Sequence, residues 1–264
     1  MVITNPPIRQ ALAAAMIVGA VVSGAGRLGA QATTPAAPPA QAPTVPSCPE
    51  LAGALRAVAA NDNRLRDWPN LARYRDANRT TTGARVVFMG DSITEFWAKQ
   101  PDFKRNSARV GRGISGQSSP QILLRFRADV INLKPRVVHI MAGTNDIAEA
   151  TGRETDEEIE GYISNMVELA QLHGIQVVLA SIPPAADFFW HTGLNPAPRI
   201  RALNNWLKAY ALEQKLTYVD YWSVLSAPDG GMKRDFSDDG VHPNVNGYRA
   251  MEPLAEAAIT KALQ

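Results

Sequence analysis

The chain has 264 residues, with 27 Lys plus Arg against 25 Asp plus Glu and a single cysteine. One thiol allows no intramolecular disulfide, and so small a charge excess, without a strong basic run, gives no electrostatic footprint of a nucleic-acid binder or of an enzyme held on anionic membranes. The length suffices for one domain of about 200 residues with a well-buried core, once an N-terminal segment is set aside.

That segment is residues 1–32. Arg9 is followed by an apolar run from Ala11 to about Ala25 and then by Ala30-Gln31-Ala32, which are the charged, apolar and small-x-small regions of a secretory signal peptide. The run is about 15 residues long, short of the roughly 20 that span a bilayer, so no stable membrane insertion is expected after cleavage. A retained anchor is the alternative. Loss of Arg9 and Arg27 would leave 25 basic against 25 acidic residues. Residues 33–47, rich in Pro, Ala and Gln, read as an extended linker that cannot bury a core. The folded domain is expected over residues 48–264, in the periplasm or secreted. Cys48, about 20 residues beyond the apolar run, fits neither a thiol nucleophile nor a lipid-acceptor cysteine.

After residue 80, short apolar runs alternate with longer amphipathic ones, the pattern of β-α units feeding a parallel sheet covered on both faces. A helix over Pro49–Ala60 precedes them. The first strand is expected over Val86–Met89, with a weaker one at Ala108–Gly111 and a helix at Pro120–Leu133. A strand at Arg136–Ala142 then leads to a helix at Asp156–His173, with Asp156 as its N-cap. The last strands are Gln176–Ile182 and Thr217–Asp220. Helices at Pro198–Gln214 and Val245–Leu263 follow them, the second capped by Asn244. No repeat and no second domain is visible.

Ligands of open parallel sheets bind beyond the carboxyl ends of the strands, and the polar motifs fall there. Gly90-Asp91-Ser92 follows the first strand, Gly113-Ile114-Ser115-Gly116 the second, Gly143-Thr144-Asn145-Asp146 the third and Asp239-Gly240-Val241-His242 the last. Ser92 opens a helix-like Ile93–Trp97 run, where backbone N–H groups face developing negative charge. In a tight turn Asp239 can accept Nδ1–H of His242 and leave Nε2 to remove a proton from Ser92. Gly116 lets a backbone N–H approach an oxyanion, and the amide of Asn145 is a neutral donor. Each residue also has an ordinary use: a helix cap for Ser92, turns for Gly116 and Asn145, and a polar turn for Asp239 and His242.

In combination these motifs resemble those of the SGNH, or GDSL, hydrolase family, whose signature residues are a serine, a glycine, an asparagine and a histidine in that order. The likeness spans about residues 84–250, with Ile93 in place of the family's leucine. The resemblance implies a flavodoxin-like three-layer α/β/α sandwich with a five-stranded parallel sheet in the order 2-1-3-4-5. It further implies Ser92 as nucleophile, His242 as base and Asp239 as its orienter. The oxyanion hole would comprise the Ser92 and Gly116 N–H groups and the Asn145 side chain. No metal or organic cofactor is implied. The α/β-hydrolase fold shares the Ser, Asp, His order, but Thr94 stands where its Gly-x-Ser-x-Gly elbow needs the second glycine.

Around this set, Asp91 and Asp146 read as groups fixing the loops that carry Ser92 and Asn145, or as plain turn residues. Trp97, and Trp190 in the Phe188–His191 loop, are candidate substrate-binding walls, with core packing the equal alternative. His139 reads as a core residue and His173 as a helix terminus. His191 is expected to line the pocket, with replacement of His242 as base the alternative. The expected activity is a serine esterase for short-chain esters, its substrate a small ester or an acetylated carbohydrate, with carbohydrate O-acetylesterase preferred. Alternatives are O-acyl transfer to sugar hydroxyls, a lysophospholipase or arylesterase, a non-catalytic carbohydrate-binding module, and a metal-dependent phosphoesterase using Asp91, Asp146, Asp239 and His242.

Overall fold

The computed structural model describes residues 66–264 and, within 49–58, Pro49, Leu51–Gly53, Leu55, Arg56 and Val58. The expected signal peptide, the linker and Cys48 lie outside the described residues. The described positions of the expected Pro49–Ala60 helix are helical and exposed. Among the described residues no helix is long and apolar enough to cross a membrane.

Five strands form one all-parallel sheet in the order β2-β1-β3-β4-β5. They are β1 (Val86–Gly90), β2 (Arg109–Gly113), β3 (Val137–Met141), β4 (Gln176–Ala180) and β5 (Thr217–Val219). The connecting helices used below are α1 (Arg75–Thr80), α2 (Ser92–Trp97), α3 (Pro101–Lys104), α4 (Ser119–Asp129), α5 (Thr144–Ile147), α6 (Asp156–Leu172), α7 (Ala197–Glu213), α8 (Trp222–Leu225) and α9 (Val245–Ala262).

Alternation along each strand makes the two halves of the core. Val87 and Met89 of β1, Val138 and Ile140 of β3, and Val177 and Leu179 of β4 face Phe126 of α4, Ile163 of α6 and Leu203 of α7. Their neighbours Val86, Phe88, Val137, Met141, Val178 and Ala180 face Ile93 and Trp97 of α2 and Met251 and Ile259 of α9. With both faces covered, β1 and β3 are buried at every position, which is why they read in the sequence as apolar runs, interrupted in β3 only by His139. Each such buried side chain contributes roughly 1.5–3 kcal/mol, so the strand ends that carry the motifs stand on a rigid base.

Helix ends depart from the sequence reading in identifiable ways. Thr155, not Asp156, caps α6: its hydroxyl accepts from Glu158 N at 3.2 Å while the Glu158 carboxylate accepts from Thr155 N at 2.8 Å, a capping box that leaves Asp156 in the first turn. Asn244 caps α9 as expected, accepting from the Asn246 and Gly247 N–H groups. The expected Pro120–Leu133 helix ends at Asp129 and continues as a 3₁₀ turn over Ile131–Leu133. Helices α1, α3, α5 and α8 have four to six residues, too short to leave a periodic signal.

Register gathers the motifs. Gly90 at the end of β1 pairs with Gly113 of β2 and with Met141 of β3, so the segments carrying Ser92, Gly116 and Asn145 leave the sheet at one level. The close packing there tolerates no side chain. A Cβ at Gly90 would collide with the Met141 carbonyl, and one at Gly113 with the Glu95 amide and the Asp91 carbonyl.

Candidate active site

Ser92 is the first residue of α2, and the cap belongs to its neighbour: Asp91 Oδ1 accepts from Ile93 N at 3.0 Å. The Ser92 hydroxyl is therefore free of capping duty. Asp91 is fully buried, and burial pushes its carboxyl up to about 7 against the opposing pull of the Ile93 N–H and of His242.

His242 approaches from the turn before α9. Asp239 Oδ1 accepts from Val241 N at 2.9 Å and His242 N at 2.8 Å, which folds residues 239–242 into a tight turn. Its other oxygen, Oδ2, lies 2.7 Å from His242 Nδ1, and His242 Nε2 lies 2.8 Å from Ser92 Oγ. A carboxylate at Nδ1 fixes the proton there and presents Nε2 to the serine as an acceptor. Burial alone would raise the Asp239 carboxyl. The two backbone N–H groups and the His242 ring outweigh that effect and hold it below the usual carboxylate range. Ser237 braces the turn: its hydroxyl donates to the His242 carbonyl at 2.8 Å and accepts from Gly240 N at 2.9 Å.

The donor side is held as firmly. Gly116 adopts φ +78°, a left-handed conformation that glycine takes without strain. Next to it, Glu95 Oε2 accepts from both the amide and the hydroxyl of Ser115, at 2.9 and 2.7 Å, while Oε1 meets Lys99 at 3.0 Å. Burial would raise Glu95, but the Ser115 and Lys99 donors win and draw it down to about 2. The Asn145 amide donates to the Gln117 carbonyl at 3.0 Å and makes a longer contact of 3.4 Å to Asp91 Oδ2. Beneath them the buried Arg125 guanidinium donates to the Gly90 and Arg112 carbonyls at 2.8 and 2.7 Å, tying β1 to β2 just below the site.

Ser92, Gly116, Asn145 and His242 line one cleft of about 370 Å³, rimmed by Phe96, Phe189 and Trp190. Phe96 and Trp190 flank the imidazole, with ring centroids 5.2 and 6.2 Å from it. The structure thus brings Trp190 to the site but not Trp97, whose placement as a substrate wall is corrected. Trp97 is 1% exposed, stacks on Tyr248, meets Phe88 edge-on and donates Nε1–H to Glu252 at 3.1 Å. One residue along a helix is a 100° rotation, which sends Phe96 to the cleft and Trp97 to the core.

His191 is also corrected. It is exposed, contacts the Ala148 carbonyl at 3.0 Å through Nδ1 and is not among the cleft-lining residues. His139 is the core residue expected, stacked on Phe88 and joined to Tyr221 Oη at 2.9 Å, with burial pulling it down to about 3. His173 is the C-cap of α6. Among the described residues no three His, Cys, Asp or Glu side chains are placed to hold a metal ion, so the four residues weighed for a metal site do not form one.

Asp146 turns away from the cleft. Its Oδ1 accepts from Ser119 N at 2.8 Å, tying α5 to the start of α4. Its Oδ2 and Glu154 Oε2 are both buried with no donor to meet them, and the charge of Asp146 opposes ionisation of Glu154, an arrangement that a proton shared between the two carboxyls would satisfy. Burial first, and then the neighbouring Asp146 carboxyl, push Glu154 up to about 8. A raised carboxyl stabilises the fold fully below its ordinary pKa of 4.5, and that stability is lost as pH rises towards about 8. In Glu154→Gln an amide donates to Asp146 without a proton to lose, so the fall in Tm between pH 5 and about 8.5 should be shallower than in the wild type. The remaining slope includes Asp91, whose shift has the same sign. Thermal melts across this range check it, and an unchanged slope would discard the shared proton.

Residues 88–250 match the GDSL-like lipase/acylhydrolase family. A solved structure from Bacteroides fragilis, assigned as an acylhydrolase, is 46% identical and covers 75% of this chain and 99% of its own, with a TM-score of 0.72. An uncharacterized lipoprotein of Bacillus subtilis is 28% identical over 145 residues, 48% of this chain and 59% of that one. A multidomain esterase of Ruminococcus flavefaciens is 28% identical over 120 residues, 44% of this chain and 14% of that one. The chain therefore spans less than two-thirds of the length of the curated relatives it matches. On its sequence and its fold, the chain belongs to the GDSL-like lipase/acylhydrolase family.

Proposed function

We propose that the protein is an exported serine esterase that removes short acyl groups, with acetate on a carbohydrate as the preferred substrate. The observation that carries this reading is the continuous line from Asp239 through His242 to Ser92 Oγ, at 2.7 and 2.8 Å, opening into a small cleft. Ser92 Oγ attacks the ester carbonyl as His242 Nε2 takes its proton. The resulting oxyanion is met by the Ser92 and Gly116 N–H groups and by Asn145. Of the two Asn145 N–H groups, one is held by the Gln117 carbonyl and the other, in only a long contact with Asp91, is available to donate to the oxyanion. Collapse breaks the bond to the alcohol, which leaves with the proton from Nε2. Water then attacks the acyl-serine and gives its proton to the same nitrogen, and collapse releases the carboxylic acid as Ser92 Oγ takes that proton back from Nε2.

At about 370 Å³ the cleft lies at the small end of ligand pockets, and this sets the test. Across 4-nitrophenyl esters of rising chain length, kcat/KM should be highest for acetate and propionate and fall by about tenfold or more at octanoate. An optimum at long chains would replace this reading with a lipase-type one. Export is favoured by the leader-like residues 1–32 and agrees with the lipoprotein character of the Bacillus relative.

A further inference from the structure

Beyond Gly116 the cleft does not end. A second cavity of about 630 Å³ shares Ser115, Gly116 and Ala150 with the first, so the two adjoin across the Gly116 loop, which forms the shoulder between them. The two halves differ in chemistry. The Ser92 half is rimmed by Phe96, Phe189 and Trp190, whereas the further half is lined by Asn70, Gln117, Gln121, Thr151 and one aromatic side chain, Trp68. Trp68 precedes the region that matches the family and belongs to none of the four signature motifs.

The backbone under Trp68 is pinned. Its carbonyl accepts from Gln121 Nε2 at 2.7 Å, and the next carbonyl, of Pro69, accepts from Gln117 Nε2 at 2.7 Å. Asp67 receives the Leu71 and Ala72 N–H groups at 2.8 and 2.9 Å, and Tyr74 Oη donates to the Gly113 carbonyl. Trp68 nonetheless remains 41% exposed, and among the described residues no other ring stacks on it. A flat apolar face on a pinned backbone, beside the exposed Asn70 amide and Thr151 hydroxyl, suits a ligand that is apolar on one face and rich in hydroxyls at its edges.

We infer that the groove beyond Gly116 is a saccharide subsite in which Trp68 is the platform for a sugar ring of the alcohol part of the ester, one or more units from the acylated unit at Ser92. This rests on the ester-hydrolase reading of Ser92 and adds a specificity-determining residue to it. The occupant is a sugar and not an acyl chain, because the apolar rim lies on the Ser92 side and the polar lining on the Trp68 side. Trp68 does not touch the reacting atoms, so its removal acts on binding.

The test compares wild type, Trp68→Ala and Trp68→Phe on acetylated xylotetraose, O-acetylated chitotetraose, 4-nitrophenyl acetate and 4-nitrophenyl octanoate. Trp68→Ala should raise KM for at least one acetylated tetrasaccharide by about tenfold, with kcat and the nitrophenyl acetate rate unchanged, and Trp68→Phe should recover most of the loss. Equal changes on tetrasaccharide and nitrophenyl acetate, or no change on either tetrasaccharide, would overturn the subsite. Selective loss of the octanoate would overturn it in favour of an acyl-chain groove. If the wild type shows no Ser92-dependent turnover of any ester, the esterase reading fails separately. Calorimetric titration with unacetylated xylotetraose and chitotetraose then decides the subsite: binding that weakens about tenfold in Trp68→Ala supports it, and no binding by the wild type overturns it.

Discussion

Ser92→Ala is expected to lower kcat on 4-nitrophenyl acetate by about 10⁶-fold, the loss seen when the nucleophile of a serine hydrolase is removed. The variant should fold as the wild type does. Ser92 Oγ makes its one close contact with His242 Nε2, while capping of α2 is done by Asp91. Removing an uncapped hydroxyl at a helix start should change stability by less than about 0.5 kcal/mol, so Tm should stay within a few degrees. A fluorophosphonate should label the wild type once, on the peptide containing Ser92, and should not label the variant. A folded Ser92→Ala protein with near-normal turnover would remove Ser92 from the chemistry. Loss of activity together with a collapse in Tm would return Ser92 to the structural role that its sequence position also allowed.

The contrast between Ser92 and Trp97 shows what the sequence could carry. Residues whose position follows from strand ends were legible, because a parallel sheet delivers successive loops to one rim: Ser92, Gly116, Asn145 and the 239–242 turn needed only the order of elements. The five strands and four long helices were legible for a similar reason, since burial on two faces or on one leaves runs and periods in the composition. Which face of a five- or six-residue helix meets the cleft was not legible. Phe96 and Trp97 are adjacent large aromatics, and no hydrophobic period is long enough there to say which is inward.

Braces built from long-range hydrogen bonds were hidden as well. Arg125 lies in an amphipathic stretch where an arginine ordinarily reaches solvent, yet it is buried with its donors on two strand-end carbonyls. Glu95 reads as one more polar position of α2 until the fold sets Ser115 beside it, 20 residues on. The shared proton of Asp146 and Glu154 needs burial to exist, and burial of a carboxylate is not written in its neighbours.

The second large effect is expected from Asp239→Asn, a change of one atom that keeps the shape of the turn. Asp239 Oδ1 holds the Val241 and His242 N–H groups, and an asparagine oxygen accepts the same two bonds. The amide NH₂ then takes the place of Oδ2, 2.7 Å from His242 Nδ1, and it can only donate. Nδ1 must become the acceptor, the ring proton moves to Nε2, and the nitrogen facing Ser92 no longer has a lone pair for the serine proton. With the geometry intact and the tautomer wrong, kcat should fall by about 10⁴-fold with KM little changed. Tm should shift by only a few degrees, because the turn keeps its backbone bonds. Proton spectra should find the ring N–H on Nε2 in the variant and on Nδ1 in the wild type. Activity within tenfold of the wild type would mean that Asp239 serves the turn alone, and His242 would then need another partner to set its proton.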